Sequence, residues 1–332
     1  MALLYSYTSI LLYFPKPIHN PVAVYFNKKH FPDQPETLYG AASYMLEDGG
    51  KRIRPVLCLM GNELFGPIRS DSWKIAMALE LFHNFTLIHD DIMDRAPLRR
   101  GRPTVHAKYN ESTALLAGDV MLLQSYEYLN DTDPDYAQIL IRLLNKTGRE
   151  VCEGQQLDMD FENTASISPA QYMHMIELKT AVFLAASLQM GALVGGASAK
   201  DQEHIYLFGK NLGLAFQVQD DWLDSFGDPA QFGKQKGGDI ISNKKTFLLV
   251  NALTRAGREE QESIRRLLEG NDPEKVAHMI EIYRRSGIGE AAQAAKKNYM
   301  DEAYAHLGRI PVPPGNKTAL IELAGYLLER EA

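Results

Sequence analysis

At 332 residues the chain is long enough to bury a large core, and 45% hydrophobic with 23% charged residues is the make-up of a folded globular protein, not of a disordered one. A net charge of −7 argues against nucleic acid as a partner, but leaves room for a small polyanionic substrate where basic residues cluster. Two cysteines, Cys58 and Cys152, lack metal or redox spacing, so a reducing, cytoplasmic setting is expected.

Residues 1–14 are mostly apolar yet shorter than the roughly 20 needed to cross a bilayer. They have no basic start and no small-residue cleavage site, so neither a signal peptide nor stable membrane insertion is expected. Residues 15–35 are rich in proline, aromatics and lysine and read as an irregular arm. The extension is therefore 1–35, and a single domain spans 36–332, with no linker or repeat inside it.

A helix over 38–46 is stopped by Gly49 and Gly50. Lys51, Arg52 and Arg54 follow, and Pro55 opens a helix over 56–64 where proline is tolerated. Glycine permits close approach and a helix start offers free N–H groups, which makes this a cradle for a diphosphate. Taken alone, a solvated basic turn would be the commoner meaning.

From Leu79 to Met93 the chain is apolar almost all round, as befits an interior helix, yet it ends in Asp90, Asp91 and Asp94. Asp90 and Asp94 stack one turn apart and Asp91 flanks them. Carboxylates that close resist joint ionisation, and the helix C-terminus makes this worse. A hard divalent cation such as Mg2+ resolves the crowding and takes its other ligands from phosphates and water. Arg95, Arg99, Arg100 and Arg102 come next, with Pro97, Gly101 and Pro103 keeping the segment non-helical. Arginine forks match phosphate oxygens bidentately. Salt bridges to the aspartates are the plainer alternative, weightier for Arg95 and Arg102 than for Arg99 and Arg100.

Helices over 115–129 and 180–194 are apolar on most faces and belong to an inner layer, with Gly118 and Gly191 marking close helix contacts. Lys179-Thr180 opens or interrupts the second. A helix over 205–218 ends in F-Q-V-Q-D-D-W-L-D, which repeats the aspartate triplet at Asp220, Asp221 and Asp224. Two buried helices ending alike imply two carboxylate clusters facing one cavity. Residues 233–246, rich in glycine and lysine, read as a loop that folds over an anion. Amphipathic helices over 259–268, 273–286, 290–307 and 318–331 form an outer layer. No period-two strand of any length is visible, so the fold expected is an all-α bundle of about a dozen helices around a deep central cavity.

The pieces G-G-K-R-I-R-P (49–55), D-D-I-M-D (90–94), R-R-G-R-P-T-V-H (99–106), G-D (118–119), K-T (179–180), F-Q-V-Q-D-D-W-L-D (216–224), G-K (233–234) and N-K (243–244) occur in one order. Together they resemble the trans-isoprenyl diphosphate synthases, the polyprenyl synthetase family, over the chain from about residue 39 to its end. The resemblance implies Mg2+, three ions per site, on Asp90, Asp94 and Asp220, with Asp91, Asp221 and Asp224 orienting the shell or binding through water. It implies that Arg99, Lys179 and Lys234, with Lys244 close by, take up charge on the departing allylic diphosphate. Isopentenyl diphosphate would sit on Gly50, Lys51, Arg54, His83 and Arg100, and Thr180 and Gln217 would offer oxygens to the allylic cation. A homodimer is implied too.

Phe85 and Thr86, five and four residues before Asp90, lie where the growing tail would run. An aromatic only at the fifth position resembles many C20 synthases, so geranylgeranyl diphosphate is the expected product, with C15 second; a floor near Leu122 or Tyr126 is the alternative. A di-metal redox bundle would need two E-x-x-H helices, and only Glu80–His83 fits. A non-catalytic subunit would lack an aspartate motif, and a terpene cyclase needs no isopentenyl site.

Overall fold

The computed structural model describes residues 29–47, 50, 52–227 and 236–328. They are overwhelmingly helical, as expected, and gather into two compact units. Of the described residues, the first holds those up to Leu144, those of 187–202 and those of 312–323; the second holds those of 145–186, those of 203–311 and those from Ala324 to Leu328.

In the first unit α1 (Glu36–Glu47), α2 (Ile53–Glu63) and α3 (Ser70–Met93) follow one another closely. Asn62 staples the turn between α2 and α3. Its amide donates to the carbonyls of Pro67 at 3.1 Å and Gly66 at 3.3 Å, and its oxygen accepts from Ser72 Oγ at 2.6 Å and Arg69 N–H at 2.9 Å. A short β1 (Leu98–Arg99) pairs antiparallel with β2 (Arg102–Pro103), then α4 (Val105–Lys108) and α5 (Glu111–Asn130) follow. This two-residue ladder is too short to show a period of two and leaves the all-α expectation standing. Its tip, Arg100-Gly101, has φ of 51° and 78°, the primed-turn geometry that suits a tight hairpin and escapes any test based on alternating hydrophobicity.

α5 is capped by Asn110, whose side chain accepts from Thr113 N–H at 2.8 Å. It also differs from expectation. Ala114, Ala117, Gly118, Met121, Ser125 and Leu129 are buried at helical spacing, but Leu115, Leu116 and Leu123 are 42%, 56% and 62% exposed. Only one of its apolar faces is spent on the unit's own core. The close contacts expected at Gly118 and Gly191 are present. A Cβ on Gly118 would fall 2.3 Å from His89 Nε2, and one on Gly191 would fall 1.8 Å from the Cys58 carbonyl oxygen.

α6 (Pro134–Glu162) was not anticipated. Its charged surface hides a stripe of Leu140, Leu144, Thr147, Val151 and Gln155, which are buried at spacings of three or four residues. Likewise unanticipated is α7 (Pro169–Ile176), opened by a reciprocal capping box between Ser168 and Gln171. It passes into a π-helical segment at Glu177–Ala181 and then into α8 (Val182–Val194), so Lys179-Thr180 interrupts the helix. The continuous run Pro169–Val194 is apolar and long enough to cross a membrane, and 72% of its most apolar stretch is buried in the fold.

α9 (Ala199–Phe226) and α10 (Gly238–Ile241) come next, the latter a single helical turn inside the expected loop. α11 (Phe247–Arg255), α12 (Arg258–Glu269), α13 (Lys275–Arg285), α14 (Ile288–Gly308) and α15 (Pro314–Leu328) complete the described residues. The second unit's core gathers Tyr172, Val218, Phe247, Leu248, Met279 and Tyr283 among its buried side chains.

Candidate active site

In the first unit the site grows from the end of α3. The helix stops at Asp94, and Arg95 takes a left-handed turn (φ 50°) that lets Ala96 N–H return to the Asp91 carbonyl at 3.0 Å. The hairpin then brings Arg99 back onto Asp91. The guanidinium grips this 2%-exposed carboxylate through Nε at 2.8 and 3.0 Å and Nη2 at 2.8 Å. The ion pair weighted low for Arg99 from sequence is thus formed. It leaves Asp90 half-buried and Asp94 exposed as the accessible carboxylates of the triplet. The hairpin's base is fixed by Tyr44, which donates to the Pro103 carbonyl at 2.8 Å and carries the Arg102 guanidinium 4.4 Å above its ring.

The hairpin tip delivers Arg100 to Gly50. Gly50 has φ +62°, and a Cβ there would lie 2.7 Å from Arg100 Nη1, so any side chain would be strained and would push the arginine tip aside. On the other side of this point α2 begins. Arg52, left-handed at φ 49°, forms a buried ion pair with Glu80 and donates to the Leu46 carbonyl at 2.7 Å. Arg54 Nη1 lies 2.9 Å from His83 Nε2. Because a guanidinium only donates, Nε2 accepts and the imidazole proton sits on Nδ1. Burial, then the charges of Arg54, Arg100, Arg99 and Arg52, hold His83 well below the ordinary histidine range. Burial pulls Arg54 down to about 10 while Glu80 acts the other way, so it stays charged at neutral pH. Gly50, Arg54, His83 and Arg100 therefore converge, with His83 aiming Arg54. Lys51 lies outside the described residues.

One turn further along α3, Phe85 packs edge-on against Phe82 and His89, each with centroids 5.1 Å apart. Thr86 spends its hydroxyl on the His83 carbonyl at 2.8 Å. Leu122 and Tyr126 are half-buried on α5.

The second unit repeats the logic at the end of α9. Asp221 is 4% exposed and accepts from the Tyr172 hydroxyl, from Phe247 N–H at 2.8 Å and from Gln217 Nε2 at 3.1 Å. Burial pushes its carboxyl up to about 6 against the pull of these donors. Gln217 turns its NH2 to this carboxylate, so its amide oxygen is directed away from it. Asp224 Oδ2 accepts from Asp239 N–H at 3.1 Å, and its carbonyl accepts from Gly237 N–H at 2.7 Å. Asp220 and Asp224 are half-buried. In both triplets the middle carboxylate is thus locked into the scaffold, and the pair one helical turn apart keeps access to solvent.

Lys179, in the π-helical segment, holds Asp158 Oδ2 at 2.5 Å. That segment rests on Gly154, where a Cβ would fall 2.2 Å from the Lys179 nitrogen. Thr180 is half-buried beside it. Partial desolvation lowers the Lys244 ammonium, but Asp239, Asp221, Asp158 and Asp220 outweigh it and raise its pKa. Lys234 lies outside the described residues. Glu80 as an anchor, Asp158 and Tyr172 were not picked out from sequence. Only the four-residue step from Gly154 to Asp158 on one helix face could have signalled any of them.

The donor set fits a hard cation. Among the described residues, no three His, Cys, Asp or Glu side chains come together closely enough to hold an ion unaided. Mg2+ needs less, because it binds through one or two carboxylates with substrate phosphates completing its shell.

The polyprenyl synthetase family profile matches residues 35–285. The chain belongs to the polyprenyl synthetase family. A geranylgeranyl diphosphate synthase of Methanosarcina mazei is 35% identical over 303 residues, covering 90% of this chain and 91% of that one. A geranylfarnesyl diphosphate synthase of Natronomonas pharaonis is 34% identical over 317 residues, with coverage of 90% and 91%. A crystal structure of a geranylgeranyl pyrophosphate synthase superposes with a TM-score of 0.89 at 39% identity, covering 96% of this chain and 99% of that one. This polyprenyl synthetase is accordingly a prenyltransferase of isoprenoid biosynthesis, and its two aspartate triplets lie at the ends of α3 and α9.

Proposed function

We propose that this prenyltransferase condenses isopentenyl diphosphate with an allylic diphosphate, head to tail, and releases geranylgeranyl diphosphate. The observation that carries the reading is the repeated division of labour in the triplets. Asp91 and Asp221 are tied into the scaffold, while Asp90, Asp94 and Asp220 keep access to solvent. These three would hold Mg2+, three ions with substrate bound, and Asp224 would complete the second cluster. When bound, the ions neutralise the diphosphate and make it a better leaving group.

The chain's own cations do the rest. Lys179, Lys244 and Lys234 meet the allylic diphosphate, with Arg99 fixed by Asp91. The C–O bond breaks with both electrons leaving on diphosphate, a step helped by preset positive charge. Gly50, Lys51, Arg54 and Arg100 hold isopentenyl diphosphate, its double bond attacks the allylic carbon, and the released diphosphate takes the proton. Thr180 and the Gln217 oxygen face the passing cation.

Phe85 supports the C20 length, because it stands five residues before Asp90 with the smaller Thr86 beside it. A C25 product competes, since a relative bears that name. Cys58 and Cys152, neither of them in a disulfide among the described residues, support a reducing cytoplasm. The acidic net charge supports no role for nucleic acid, and a homodimer is part of the proposal.

The test is incubation with isopentenyl diphosphate and each allylic primer in turn, followed by chromatography of the dephosphorylated alcohols. The wild type should stop at C20, Phe85→Ala should add one or more C5 units, and Thr86→Phe should shorten the product. An unchanged ladder in both variants removes Phe85 and Thr86 from the role.

A further inference from the structure

Two side chains on α3, Glu80 and His83, lie almost one turn apart and grip two arginines set two residues apart at the start of α2. His83 takes Arg54 at 2.9 Å, and Glu80 takes Arg52. Both side chains of the Glu80–Arg52 pair are nearly out of water, 6% and 8% exposed. Glu80 also accepts from Asn84 Nδ2 at 2.8 Å, and Arg52 also donates to the Leu46 carbonyl. A buried carboxylate is costly to maintain and is weak evidence for stability as such. Here it sits under a cluster of Arg52, Arg54, Arg99 and Arg100, all close enough to depress His83. Arg52 itself is held in a left-handed conformation, which a non-glycine residue adopts only when its surroundings insist.

We infer that Glu80 is a positioning residue for the isopentenyl diphosphate site. Through Arg52 it fixes the entry to α2, so that Gly50, the helix N-terminus and Arg54 present a preformed diphosphate cradle. It touches no substrate. The inference rests on the proposed assignment of this cradle to isopentenyl diphosphate.

Steady-state kinetics with both substrates varied, beside thermal melts, test it. Glu80→Gln should raise KM for isopentenyl diphosphate about tenfold, the scale of one charge-assisted contact. The allylic KM and kcat should stay within about twofold. The paired variant Arg52→Met with Glu80→Leu removes both charges together, so it should regain most of the Tm lost in Glu80→Leu while KM for isopentenyl diphosphate stays high. A KM that recovers along with Tm overturns the inference, as does a Glu80→Gln enzyme with wild-type KM. Wild-type protein that fails to couple the two substrates would instead overturn the functional assignment itself.

Discussion

His83 carries the residue-scale lesson. Sequence supplied a histidine seven residues before Asp90 and the resemblance made it a diphosphate contact; in the structure its Nε2 accepts from Arg54, and burial first, then four arginine charges, hold it well below the ordinary histidine range. The consequence for stability has a definite sign. The folded pKa lies below that of an unfolded histidine, near 6.5, so between the two values the unfolded chain binds a proton that the folded chain refuses. The contribution is whole above pH 6.5 and falls by up to about 1.4 kcal/mol per pH unit as pH drops toward the folded pKa. Urea unfolding at pH 7.5 and 5.5 should therefore show the wild type losing stability relative to His83→Gln; parallel pH profiles would refute it. The aspartates at 90 and 94 were legible because a four-residue step stacks them on any helix. The Asp91–Arg99 grip was not, because it depends on a primed turn that reverses the chain, and spacing alone says nothing about where an arginine returns.

Among the elements, the interrupted helix at 177–181 matters most. π-helical turns inside α-helices are uncommon and cluster at functional sites, since the extra residue costs regular hydrogen bonding. Here the segment sets Lys179 against Asp158, one turn beyond Gly154 on α6. Gly154→Ala would drive a methyl carbon into the Lys179 backbone, so we expect kcat to fall about tenfold or more as Lys179 shifts, with unchanged circular dichroism. KM for isopentenyl diphosphate should not move, and an active Gly154→Ala enzyme with normal kcat would contradict the link. Sequence marked Lys179-Thr180 as an opening or an interruption because a lysine stood out among apolar neighbours. It missed α6 altogether, since the helix's charged residues outnumber the narrow stripe that anchors it.

At the scale of the whole molecule, the all-α class was readable from hydrophobic periods of 3.6 residues, and the proposed reaction calls on both triplets. Asp90→Ala and Asp220→Ala, one in each unit, should each abolish turnover while leaving melting cooperative, and excess EDTA should do the same to the wild type. Full activity in EDTA would end the metal assignment. The expectation that 115–129 is an inner helix failed for a reason that bears on assembly. Leu116 and Leu123 lie two turns apart on one face of α5, Leu115 is beside them, and all three are open to solvent in the single chain. An exposed apolar stripe costs free energy unless something covers it. A second copy offering the same stripe would cover it symmetrically, as isologous dimers do. A stable dimer buries about 1,200–2,000 Å2 in all, which the length of a 20-residue helix pair and its flanks can supply. Leu116→Glu with Leu123→Glu sets four carboxylates across that seam, so sedimentation velocity should show wild-type dimer and variant monomer at micromolar protein. A variant that still sediments as a dimer would place the interface on another face.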